Sequence, residues 1–211
     1  MLEKYRTIKV AGQHEIVIEK SRFICSMIRA TDEKTAQEFI QSIKKKYWNA
    51  SHNCSAYIIG ERDQYQKAQD DGEPSGTAGV PMLEVLKKKH LKDVAVVVTR
   101  YFGGTKLGAG GLVRAYSNSV SEACKAVGIV ERSLAAIISC TVDYATHAKF
   151  ENALGKTGYQ IANISFTESV TIDVYVENSD VAPFQEWAIN LTSGQIKMIE
   201  VGKKYQEKDV N

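Results

Sequence analysis

A run of mostly β-branched residues, Val94-Ala95-Val96-Val97-Val98-Thr99, leads into five glycines within nine residues and then into an amphipathic stretch ending at Val127. That order leaves few folds open. The apolar run has the length and branching of a strand covered on both faces. The stretch after the glycines is apolar at Leu112, Tyr116, Val120, Ala123 and Val127, the spacing of a buried helix face. Its opposite side shows Arg114, Ser117, Asn118, Ser121 and Lys125. The glycines between (Gly103, Gly104, Gly108, Gly110 and Gly111) serve a turn or close backbone approach. A glycine loop entering a helix is an anion site in kind, because unpaired N–H groups and the helix dipole face it.

The standard nucleotide motifs do not fit. Gly103 and Gly108 have the spacing of a Walker loop, but Ala109 and Gly110 stand where Lys and Ser/Thr are required. Val113 stands where a dinucleotide fingerprint needs a third small residue. What remains is a strand–loop–helix cradle with Arg100, Lys106 and Arg114 around it and Tyr101 and Phe102 beside it. Cations interleaved with aromatic rings suit nucleic acid, where phosphates pair and bases stack. A structural turn packed tightly between strand and helix is the plainer reading of the same glycines.

Elsewhere the first half predicts mixed strand and helix. Glu15–Glu19 and Phe23–Ala30 read as strands. Thr31 and Asp32 cap a helix with Ala36, Phe39, Ile40, Ile43 and Tyr47 on its apolar face and Lys44, Lys45 and Lys46 at its negative end. Cys54–Gly60 and Tyr65–Gln69 read as a strand pair, and Met82, Val85 and Leu86 as a short helix. After a break over Gly128–Ser133, the second half runs strand (Ala135–Val142), helix (Thr146–Lys156), two strands (Tyr159–Ser165, Ser169–Glu177), helix (Val181–Leu191) and strand (Gln195–Val201). This β-α-β-β-α-β order is that of a ferredoxin-like split unit. The polar end, Lys203–Asn211, is expected to fray. The chain is thus an α+β protein of two domains, residues 1–130 and 134–205, with a tail at 206–211.

Bulk properties narrow the setting. With 44% hydrophobic and 25% charged residues the chain is an ordinary soluble globular protein. The residues Met1-Leu2-Glu3-Lys4-Tyr5-Arg6 lack the apolar core of a signal peptide, and the apolar run Val94–Val98 is far too short to span a bilayer, so a cytoplasmic location and no membrane partner are expected. Cys25, Cys54, Cys124 and Cys140 show no C-x-x-C pairing and read as reduced, buried thiols. Residues 1–127 hold 20 Lys and Arg against 14 Asp and Glu, while residues 128–211 hold 7 against 11. Any polyanion is therefore drawn to the first half.

Two further clusters carry chemistry. Asp70, Asp71 and Glu73, with Ser75 and Thr77 following, lie in a loop by composition. They pair with Arg100 and Arg114 to order both loops, form a solvated turn, or hold a divalent cation; the EF-hand spacing is missing. His52 and Cys54 share one face of a strand, a spacing that permits a Cys–His pair, though a structural strand end is the simpler account. No residue pattern calls for a cofactor.

The segments Asp70-Asp71-Gly72-Glu73-Pro74-Ser75-Gly76-Thr77-Ala78-Gly79 and Val96-Val97-Val98-Thr99-Arg100-Tyr101-Phe102-Gly103-Gly104-Thr105-Lys106-Leu107-Gly108 together resemble the signature of the YigZ/Impact family. Ser21-Arg22-Phe23 and His52-Asn53-Cys54-Ser55-Ala56-Tyr57 match its upstream positions, and Arg22, His52 and Cys54 join the candidate residues. The resemblance covers residues 15–127, and the second half looks like the small C-terminal domain of bacterial members. It implies an N-terminal α/β sandwich similar to domain 2 of a ribosomal small-subunit protein and to domain IV of elongation factor G. It also implies a C-terminal domain similar to domain V of that factor. The eukaryotic member Impact is a translation regulator, and its partner-binding portion includes a separate domain absent here. RNA or the ribosome is the expected partner, on the cation–aromatic–glycine cluster and the basic first half, with translation factors as a second class. Two functional readings stand. One is a non-enzymatic translation-associated protein that binds polyanion through the glycine-rich segment. The other is an enzyme acting on a phosphorylated or nucleotide small molecule, with Gly108–Gly111 on phosphate and the acidic loop on magnesium.

Overall fold

A computed structural model describes residues 1–210. The chain forms two units. Tyr5–Arg132, with the C-terminal residues from Lys208, make one; Met1–Lys4 and Ser133–Glu207 make the other.

The first unit is built on a five-stranded sheet in the order β2 (Gly12–Ile18), β3 (Ser21–Arg29), β6 (Val94–Tyr101), β4 (His52–Ile59), β5 (Tyr65–Gln69). Every neighbouring pair is antiparallel. The β-branched run is β6, the central strand, and it is buried on both faces as its composition predicts. Val94, Val96 and Val98 face one core with Phe23, Met27, Met82, Leu86, Leu112, Tyr116 and Val120. Ala95 and Val97 face the other with Ala36, Ile40, Ile43 and Tyr57. The first core lies under α2 (Gly79–Lys88) and α3 (Gly108–Val127), the second under α1 (Glu33–Lys46). Asp32 caps α1 as its chemistry demands, accepting from the Thr35 N–H at 2.8 Å.

The second unit has the predicted order: β7 (Ile129–Val142), which enters it at Ser133, α4 (Tyr144–Leu154), β8 (Gln160–Phe166), β9 (Val170–Glu177), a 3-10 turn, α5 (Val181–Leu191) and β10 (Lys197–Asp209), which leaves it after Glu207. Its strands lie in the order β8, β9, β7, with β10 also paired to β7. Phe150, Leu154, Phe184 and Ala188 from the two helices pack on Ala136, Ile138, Cys140, Ile172 and Val174 of the strands.

Three features depart from the sequence reading. The break expected over Gly128–Ser133 shrinks to Gly128, whose φ of +75° turns the chain directly into β7. Lys203–Asp209 is strand, not a frayed tail: β10 continues to Asp209, and the Val210 N–H donates to the Ile129 carbonyl at 2.9 Å. Asn211, the end of that tail, lies outside the described residues. Finally, β1 (Lys4–Ile8) pairs with β7, a strand without its own apolar alternation.

Candidate functional site

The register of the first sheet sets the site. Across β3, β6 and β4, Phe23 lies opposite Arg100, and Arg100 opposite His52. One row deeper, Cys25, Val98 and Cys54 are aligned the same way. Side chains alternate along a strand, so Arg100 shares the face of Val98 and Val96, the face under α3. It is 5% exposed. A buried guanidinium requires a partner, and the acidic loop delivers one. Glu73 turns inward from the segment between β5 and α2, and its Oε1 accepts from Arg100 Nη1 at 2.6 Å and from the Tyr116 hydroxyl at 2.8 Å.

Other groups close around this pair. The Arg100 guanidinium carbon lies 5.4 Å from the Phe23 ring centre and 5.5 Å from that of Phe102. The Ser21 hydroxyl accepts from the Gly103 N–H at 3.1 Å and from Arg100 Nη2 at 3.4 Å. Cys54 Sγ lies 2.8 Å from the Asp70 carbonyl and 3.4 Å from the Tyr116 hydroxyl. His52 Nε2 is 3.9 Å from Glu73 Oε2, and its Nδ1 is 2.9 Å from the Asp71 carbonyl, the arrangement of an Nδ1–H tautomer.

The three carboxylates of the loop point to different tasks. Asp70 accepts from the N–H groups of Gly76, Ala78 and Gly79 and so ties the loop to the start of α2. Burial pushes its carboxyl up, but those three N–H groups together outweigh burial and hold it below the usual range. Asp71 accepts from Lys44 and from the Asn53 N–H at 2.6 Å, and the same balance lowers it. Thr77 closes the turn onto the Pro74 carbonyl at 2.7 Å, and Ser75 stays exposed. Among the described residues, no three His, Cys, Asp or Glu side chains gather as a metal site requires. Burial pushes the Cys54 thiol up to about 12, the wrong direction for a nucleophile.

Arg100 is therefore a ligand of Glu73 and not a surface cation. The alternation Val94, Val96, Val98 continues to position 100 and is the signal that could have placed it inside. Tyr116, read from sequence only as a core residue of its helix, is the hydroxyl that completes the network. Arg114 takes no part in it. Arg22 stays outside too, bonded twice to Glu15 at 2.9 Å and lying 5.4 Å over the Tyr101 ring. The Tyr101 hydroxyl donates to Asn49 at 3.0 Å, while Phe102 is 48% exposed.

The glycines divide by role. A Cβ on Gly103 would lie 2.0 Å from the Lys20 carbonyl carbon, so only glycine allows that backbone approach. Gly104 and Gly108 take φ of +91° and +68°, and Gly111 packs on Leu107. Gly108, Gly110 and Gly111 are not loop residues: they form the first turn of α3. That turn has no side-chain cap and no acidic residue. Gly110 faces open space and is not among the glycines of positive φ, so neither packing nor backbone conformation calls for glycine there. Beside the turn lies an open cleft of ≈ 800 Å³, bordered by Lys106, Arg114, Ser117 and Asn118, with Glu19 on its rim.

Comparison with known proteins agrees with these motifs. Residues 19–124 match the Impact N-terminal domain, and residues 140–195 match a domain of unknown function, DUF1949. The protein named IMPACT family member YvyE, from Bacillus subtilis, is 57% identical over 211 residues, covering 100% of this chain and 97% of its own. IMPACT family member YigZ from Escherichia coli is 31% identical over 186 residues, covering 87% and 91%. A crystal structure described as a hypothetical protein superposes with a TM-score of 0.60 at 28% identity, covering 96% of this chain and 99% of its own.

Proposed function

We propose, for a chain that belongs to the IMPACT family, a translation-associated role in which the start of α3 binds the phosphate backbone of RNA, ribosomal or transfer. The observation that carries the reading is the uncapped, acid-free first turn of α3, with Gly110 open to solvent and Lys106 and Arg114 beside it. The first N–H groups of a helix have no partner within it and attract anions. A glycine with neither a packing nor a backbone reason leaves room for a ligand's own backbone. Phe102, half exposed, offers a ring for stacking, and the buried Arg100–Glu73 pair holds the segment that carries it. Translation follows from the resemblance to Impact, and a cytoplasmic setting suits four free, buried cysteines.

The small-molecule enzyme reading loses its support in the acidic loop. Asp70, Asp71 and Glu73 are each engaged by N–H groups or cations of the chain itself and do not converge on one point.

Ribosome co-sedimentation and filter binding across a salt series test the proposal with wild type and a Lys106→Ala/Arg114→Ala variant. Each lost phosphate contact lowers the log–log salt slope by roughly 1. Identical curves for the two proteins would overturn the assignment.

A further inference from the structure

The exposed flank of α3 carries a polar stripe that continues past an RNA contact at the helix start. Arg114, the pair Ser117 and Asn118, Ser121 and Lys125 are spaced three or four residues apart and so share one face. Beyond the ≈ 800 Å³ cleft at the start of the helix, a second cleft of ≈ 500 Å³ lies between α2 and α3, bordered by Lys88, Lys89, Ser117, Asn118 and Ser121. A third, of ≈ 330 Å³, is bordered by Arg6, Lys89, Lys125 and Ile129. The first and second share Ser117 and Asn118; the second and third share Lys89. The three succeed one another along α3, a broken furrow from its first turn to its last.

Cations border each of the three clefts, and Glu19 lines the first as well. Lys125 is answered by Glu122 at 2.7 Å and Arg6 by Glu131 at 3.8 Å. Lys88, Lys89, Lys106 and Arg114 have no acidic group within salt-bridge distance among the described residues. The middle of the furrow holds small polar side chains: Ser117, Asn118 and Ser121.

We propose that this furrow holds an extended polyanion, a single strand of RNA lying along α3, and not an isolated phosphate at the helix start. The proposal rests on the RNA reading of that start. A 20-residue helix is about 30 Å long. A stacked strand advances about 3.4 Å per nucleotide, so roughly nine nucleotides fill the furrow. Cations spaced along the three clefts neutralise successive phosphates and release their counterions. The Ser and Asn side chains at its middle are suited to ribose 2′-hydroxyls, which DNA lacks.

The test is fluorescence anisotropy on the full chain, with oligouridylates of about 4, 8 and 16 nucleotides over a salt series. Affinity climbs steeply to about 8 nucleotides and then grows only with the number of binding registers. A Lys88→Gln/Lys89→Gln variant lowers the salt slope for the longest oligomer by about 1.4, at roughly 0.7 per single-strand contact, with an unchanged thermal melt. A Lys106→Gln/Arg114→Gln variant lowers it as well. If only the second variant loses binding, or if affinity stops rising at 4 nucleotides, the strand does not run along α3; the extended furrow is then overturned and the contact at the helix start survives. If neither variant differs from wild type, or wild type binds none of the oligomers, both readings fall. An oligodeoxyuridylate bound as tightly as its RNA counterpart overturns the 2′-hydroxyl contacts.

Discussion

Arg100 Nη1 lies 2.6 Å from Glu73 Oε1, with the two side chains 6% and 3% exposed. This ion pair joins the central strand of the first sheet to the acidic loop, and both residues belong to the segments that carry the family resemblance. Charges so deeply buried are worth little over an apolar pair, but each strands the other when removed.

Arg100→Ala or Glu73→Gln alone therefore costs about 3–5 kcal/mol of unfolding free energy. The double replacement Arg100→Met/Glu73→Leu costs clearly less than the sum of the two. Urea unfolding of the set forms a double-mutant cycle. Strict additivity would show that the pair is not coupled. Tyr116→Phe, which removes one donor to Glu73, costs about 1–2 kcal/mol.

Asp70 and Asp71 both hold their carboxyls below the usual range. The unfolded chain therefore takes up protons before the folded one does. Their contribution is complete above the unfolded Asp value of about 3.9 and is lost as pH falls through the lower folded values. An Asp70→Asn/Asp71→Asn variant should show a shallower loss of stability with falling pH below about 4. Parallel curves for variant and wild type would remove these carboxylates from the acid transition.

All four thiols are buried, and burial raises Cys25, Cys54, Cys124 and Cys140 alike. Cys140, like Cys54, is pushed up to about 12, and Cys124 to about 11. A disulfide reagent at mildly alkaline pH should label none of them in the folded protein and all of them after unfolding. Rapid labelling of Cys54 in the native state would restore it as a candidate nucleophile.

Two glycine replacements should separate structure from binding. Gly103→Ala drives a methyl into the Lys20 backbone and destabilises the first unit by about 3 kcal/mol or more. Gly110→Ala meets nothing, and helix propensity alone raises stability by up to about 1 kcal/mol. The same methyl sits where the proposed phosphate backbone approaches, so RNA affinity falls several-fold while the melt rises. A variant more stable and equally good at binding would leave Gly110 without a ligand-based reason.

Local pattern was enough for much of this protein. The apolar spacing and Asp32 cap of α1, the doubly buried β6, the helix after the glycines and the β-α-β-β-α-β order of the second half all rest on contacts between near neighbours, which periodicity reports. The motif residues around Ser21, His52, Asp70 and Arg100 were legible as a signature. Their spatial relations were not, because these depend on strand register and on a loop folding inward. Only the tertiary structure set Arg100 in a row between Phe23 and His52, turned Glu73 toward it and brought Tyr116 over both. Strand β1 and the polar end of β10 are not legible in the sequence for a related reason: they are held by backbone ladders to β7, and backbone N–H and C=O groups are the same whatever the side chain. The glycine-rich segment is conspicuous in the sequence, yet only the fold divides it into Gly103, which lets two backbones meet, Gly104 and Gly108, which turn the chain at positive φ, and Gly110, which faces open space without a positive φ.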